Sequence, residues 1–256
     1  MWRWIKFALL FPVGLILGWF IYQLITFPDI GSLRDHNPET TALIETRIKE
    51  AAARGEQPRK FQTWVPLEKI SSNLVRAVMA GEDTNFATHN GFDYKAIQGA
   101  WDEAQREAEK EAKKEGETDP SSWRWPSFDF KRGASTISQQ LAKNLYLTTE
   151  KSFIRKGKEA VLTYFLERKL SKRRILEIYL NVIEWGDGIY GAEAAAQYYF
   201  RKPASALSFR EAAFLSAIIP NPRKDFNPQL NPRRVARRQR IIMRGMPFVK
   251  LPEGIG

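Results

Sequence analysis

Two glutamates stand on helical stripes that should be apolar. Leu74, Val75, Val78 and Met79 recur at helical spacing, and Glu82 falls on the continuation of their stripe, just past Gly81. A carboxylate at the edge of an apolar face is costly to bury ionised, so its pKa should rise unless a cation pairs with it. A glutamate in that setting can take a proton from an alcohol at neutral pH. The plainer reading is a surface glutamate at a frayed helix end. Glu159 poses the same question: it shares a stripe with Thr163, Leu166 and Leu170, which points it inward. It is also the i+4 neighbour of Arg155 and could serve only as its ion-pair partner.

Between the two glutamates lies a polar and cationic group. Thr136, Gln139, Gln140 and Lys143 share one helix face, while Ile137, Leu141 and Leu145 share another. Amides, a hydroxyl and an ammonium suit sugar hydroxyls and phosphate oxygens, and Ser135 or Thr136 can cap the helix. Lys151 and Ser152 open a further helix with Arg155, Lys156 and Lys158 in its early turns. Cations there oppose the helix dipole, so their reason is not helix stability. The basic run 168–174 reads as a solvated or lipid-facing surface. His89 reads as a hydrogen-bonded structural residue. Gly186, Gly188 and Gly191 do not read as a phosphate loop, because no strand precedes them and the spacing does not match.

These residues need a folded frame, and the composition supplies one. The chain has 256 residues, 43% of them hydrophobic, enough for one full domain and an appendage or for two small domains. A net charge of +11 and a pI near 9.8 call for an anionic partner, be it nucleic acid, anionic lipid or a phosphorylated substrate. With no cysteine and only His36 and His89, thiolate chemistry and multi-histidine metal sites are set aside. Residues 7–27 are almost entirely apolar and reach roughly 31 Å as a helix, about the thickness of a bilayer core. Arg3 and Lys6 precede the run and Asp29 follows it, which places the N-terminus in the cytoplasm. The run is too long for the core of a cleaved signal, so an uncleaved single-pass anchor is expected. The organisation expected is an anchor over 1–28, a connector over 29–62 and a domain over 63–225. A longer charged excursion interrupts it at 101–132, and a basic tail over 226–256 suits docking on the domain or on acidic head groups.

Five blocks then carry a family resemblance: Glu82-Asp83 with Phe86, His89 and Gly91; residues 133–144; Arg155-Lys156 with Glu159; residues 175–181; and residues 188–200. Together they resemble the peptidoglycan glycosyltransferases, glycosyltransferase family 51, in their monofunctional form. The resemblance implies a mainly α, lysozyme-like helical glycosyltransferase domain behind one N-terminal transmembrane helix in the bacterial inner membrane, facing the periplasm. It implies polymerisation of lipid II into linear β-1,4 glycan by an inverting reaction, with undecaprenyl pyrophosphate released. Glu82 matches the family's base and Glu159 its second carboxylate. Ser135, Gln139, Gln140, Lys143, Lys151, Arg155 and Lys156 match its donor-binding positions. No cofactor is required, although a divalent cation (Mg or Mn) is compatible with a pyrophosphate leaving group. The implied partners are lipid II, the growing strand, membrane lipids and cell-wall synthesis or division proteins, with no nucleic acid. The alternative is a lytic transglycosylase or lysozyme-like enzyme, which needs an acid aimed at a glycosidic oxygen. A cationic group around Arg155 fits a pyrophosphate better than a neutral glycan.

Overall fold

The computed structural model describes residue 18 and residues 25–115, 135–148 and 152–255. No helix among these is long and apolar enough to cross a membrane. Most of the apolar run 7–27 lies outside the described residues, as do Lys151 and the part of the 101–132 excursion beyond Glu115.

The described chain is mainly helical. α1 is Ala42–Ala53, capped by Thr41, whose hydroxyl oxygen accepts from the Ile44 N–H. α2 is Ser72–Glu82, with Ser71 as its cap, and the stripe of Leu74, Val75, Val78 and Met79 is buried as its spacing predicts. α3, Tyr94–Glu115, begins ahead of the charged run from Trp101 that announced it. α4 is Ile137–Tyr146, α5 Phe153–Lys169, α6 Lys172–Val182, α7 Ala192–Phe200, α8 Phe209–Ile218 and α9 Pro232–Gly245.

The helices pack chiefly in two groups. α2, α8 and α9 contact one another, and α4 contacts α1, α5 and α6. The connector region therefore does more than line an edge: Ile44 of α1 is fully buried. The segment beyond residue 225 belongs to the same core, through Phe226, Val235, Ile242, Met246 and Val249. Part of the 168–174 run is structural as well. The Arg174 guanidinium donates to the carbonyls of Leu33 and His36 and pairs with Glu177, so it ties the connector to α6 instead of facing solvent or lipid.

A strand does precede Gly188, contrary to the sequence expectation. β1 (Phe61–Gln62) pairs parallel with β3 (Ile189–Tyr190), and β2 (Glu184–Gly186) pairs antiparallel with β3, in the order β1-β3-β2. The glycines here allow backbones to approach and are not arranged as a phosphate cradle. A Cβ on Gly191, at φ +84°, would lie 2.7 Å from the Asn181 carbonyl oxygen. Asn181 itself is fully buried and clamps Val65, accepting from its N–H at 2.9 Å and donating to its carbonyl at 2.9 Å.

Candidate active site

The last residue of α2 is Glu82, and its buried carboxylate points at the seam between the two helix groups. One oxygen accepts from the Gln140 amide of α4 at 3.0 Å, and the other from the Arg238 guanidinium of α9 at 2.7 Å. Burial nevertheless dominates and raises the carboxyl pKa, against the pull of Arg238, Gln140 and Lys143. The sequence expectation of a raised pKa unless paired thus resolves in an instructive way: the group is paired, and desolvation still wins. Gln140 is held in turn by Tyr179 of α6, whose hydroxyl donates to the amide oxygen at 2.8 Å. Burial first, and then the charges of Glu82 and Asp83, keep that phenol far above its ordinary pKa and therefore protonated as a donor.

Asp83 fixes the other end of the seam. Its carboxylate accepts from the Ile137 N–H at the start of α4 at 2.9 Å, where the helix dipole favours negative charge. His89 Nε2 donates to the same carboxylate at 2.9 Å, while His89 Nδ1 accepts from the Gly91 N–H. His89 is the structural residue its isolation in the sequence implied. Thr136 caps α4, and its hydroxyl donates to the Gly91 carbonyl at 2.7 Å.

Glu159 is buried on α5, as its stripe predicts, and pairs with Arg155 at 3.4 Å and with the Lys156 ammonium. Lys143 reaches the surface from α4, yet protein atoms crowd its ammonium. That desolvation, with Arg155 and Lys156 adding to it, lowers the Lys143 pKa; Glu159 and Glu82 oppose the shift. Lys143 therefore lies within electrostatic reach of both carboxylates.

The structure thus gathers Glu82, Gln140, Lys143, Arg155, Lys156 and Glu159 along α2, α4 and α5. Gln139 is spent differently: its side-chain oxygen accepts from the Thr136 N–H in a capping box. Ser135 sits at the entry to α4, where its carbonyl accepts from Gln140. Lys151 lies outside the described residues. No cluster of three or more histidines or carboxylates able to hold a metal occurs among the described residues.

Sequence reasoning missed Arg238 and Tyr179. Arg238 was one of many arginines in a basic run, but it stands between Val235 and Ile242, both buried, at spacings of three and four. An arginine inside an apolar stripe is the signal that would have found it.

A transglycosylase family model matches residues 49–116 and 123–247, which takes in the whole seam. The chain belongs to the transglycosylase family. Three relatives named biosynthetic peptidoglycan transglycosylase agree along nearly their full lengths. The one from Azoarcus sp. (strain BH72) is 43% identical over 252 residues, 98% of each chain. That from Thiobacillus denitrificans is 42% identical over 252 residues, again 98% of each. That from Chromobacterium violaceum is 41% identical over 239 residues, covering 93% of this chain and 96% of its own. In this transglycosylase the matched region extends through α9, so the helix that carries Arg238 lies inside the family domain.

Proposed function

We propose that this chain polymerises lipid II into β-1,4 glycan strands, with Glu82 as general base. The observation that carries the reading is the pairing of a buried, proton-seeking carboxylate on α2 with a fixed cationic group on α4 and α5 across one seam. Glu82 takes the proton from the 4-hydroxyl of the acceptor sugar as that oxygen bonds to the anomeric carbon of the donor. The bond from that carbon to the pyrophosphate breaks in the same displacement, so configuration inverts and no covalent intermediate forms. Negative charge then grows on the leaving pyrophosphate. Lys143, Arg155 and Lys156 supply preorganised positive charge there, and Lys151 is proposed to join them. The Arg155 Nε is buried and has no protein acceptor among the described residues. Glu159 holds Arg155 and Lys156 in place at the donor end. Ser135 and Gln140 contribute polar groups beside the base, while Gln139 acts mainly by fixing the start of α4.

Substrate and product both carry lipid, and we assign residues 7–27 as a single-pass anchor in the bacterial inner membrane, N-terminus in the cytoplasm and the domain outside it. The length and apolarity of the run support this. Glycan cleavage, the alternative weighed from the sequence, is not the activity for which the relatives are named.

The deciding experiment incubates the purified, detergent-solubilised full chain with labelled lipid II and resolves the products on a gel. Lysozyme-sensitive polymer that disappears in Glu82→Gln is the expected result. Near-normal turnover in that variant removes Glu82 as the base.

A further inference from the structure

We infer that Arg238 is a positioning residue for the transfer reaction, holding Glu82 oriented and available as the base from the far side of the seam. This rests on the reading of Glu82 as the base. The geometry is specific. One terminal nitrogen of the guanidinium donates both to Glu82 Oε1 at 2.7 Å and to the Gly81 carbonyl at 2.8 Å. The Gly81 carbonyl belongs to the last turn of α2, where carbonyls lack helix partners and favour positive charge. Arg238 therefore caps the helix end and holds the side chain that ends it. Its guanidinium also lies over the Phe226 ring, 5.5 Å from the centroid, which restricts its own freedom. Val235 and Ile242, buried on the same face of α9, set the helix at the distance this reach requires.

Gly81 makes that approach possible. A Cβ there would lie 2.5 Å from the Ser216 hydroxyl and 3.1 Å from Ile242 Cδ1. Any larger residue at 81 pushes on α8 and α9 and withdraws the arginine from the carboxylate. The opposite oxygen of Glu82 is held by the Tyr179–Gln140 arm. The base is thus gripped from α4 and from α9, with no long side chain of its own helix involved.

The charges facing Glu82 are Arg238 from α9 and Lys143 from α4, with the protonated Tyr179 behind Gln140 and Asp83 beside it in the chain. Arg238 supplies the largest pull toward the ionised form. Removing an opposite charge at contact distance raises a carboxyl pKa by about 1–3 units. A base that must be ionised to act then loses rate wherever the pH lies below its raised pKa and regains it as the pH rises.

The test measures pH profiles of kcat and kcat/KM on lipid II for the full chain and for Arg238→Ala, Arg238→Lys and Arg238→Met, with a thermal melt of each. Arg238→Met keeps an unbranched apolar stem in the stripe, so the test survives if the alanine variant fails to fold. The proposal expects the acid limb to move up by about 1–3 pH units in Ala and Met and by less in Lys, with KM nearly unchanged. Gly81→Ala is expected to shift the limb in the same direction. An unmoved limb with a raised KM makes Arg238 a substrate ligand and overturns the proposal. So does a loss equal at every pH that tracks the drop in Tm, the mark of a structural role alone. Glu82→Gln, run beside them, separates the two readings. Turnover in that variant fails the base assignment, whereas an inactive Glu82→Gln with an unmoved limb in the Arg238 variants fails Arg238 alone.

Discussion

Glu82 carries a conflict between folding and chemistry that can be measured. Burial raises its pKa above the ordinary value of 4.5 despite three favourable partners. A carboxyl whose folded pKa exceeds its unfolded one binds more protons in the native state, so its contribution to stability is fullest at acid pH. That contribution is lost as pH rises from the unfolded value through the folded one. Gln at this position mimics the protonated carboxyl. Glu82→Gln is therefore expected to melt close to the parent at acid pH, below the unfolded value of 4.5, and progressively above it as pH rises past that value. Thermal melts across that range check it, and a gap widest at acid pH contradicts it. At the donor end the expectation is kinetic. Arg155→Ala leaves Lys156 on Glu159, so Tm should change little while KM for lipid II rises by about tenfold or more, the worth of one charge-assisted bond. A large fall in Tm with unchanged KM would make Arg155 a scaffold residue.

At the scale of elements, α4 matters because it presents Gln140 to Glu82 and Lys143 to both carboxylates, and Thr136 fixes where it starts. α8 begins with the same device, a capping box of Ser208 and Glu211, away from the seam. Thr136→Ala and Ser208→Ala should each cost about 1 kcal/mol of stability. Only the first should also lower kcat, since only the first loosens a helix that carries site residues; equal losses of turnover in the two variants would show that α4 is not tuned by its cap. Most of these helices were legible in the sequence, because apolar spacing and Ser or Thr caps are local signals. Glu82 and Glu159 were legible for the same reason, as charges on apolar stripes. Two residues have uses that local pattern did not announce. Gln139 looked like part of a ligand face, although Thr136 followed three residues later by Gln139 is also the pattern of a capping box, and the helix start takes that amide. Arg238 was hidden by its neighbours: five arginines between 233 and 240 flatten the contrast that exposes a buried stripe. Its partner on α2 lies 156 positions away, beyond any local pattern.

Across the whole molecule, the site exists only where two helix groups meet. Glu82, the proposed base, comes from the group of α2, α8 and α9, and the cationic residues come from α4 and α5 of the other. The covalent order hides this, because α9, whose Arg238 pairs with Glu82, comes near the end of the chain. α9 read as a basic tail from composition, yet Val235 and Ile242 pack it onto the core and Met246 and Val249 extend the contact. Its exposed side still carries Arg233, Arg237, Arg240 and Arg244 at helical spacing, so the outward charge and the inward packing belong to one amphipathic helix. Truncation therefore separates the two ends of the chain. A chain that begins at Thr26 retains Phe27 and every described core residue, and its Tm in detergent is expected to match that of the full chain. A chain that stops at Asn231 loses four buried apolar side chains, each worth about 1.5–3 kcal/mol on burial, which is comparable to the total stability of a domain. It also leaves Glu82 buried without its cation. That truncation should give no cooperative melt and no polymer. If it instead melted cooperatively and lost only activity, α9 would be an accessory to the site and not part of the fold that builds it.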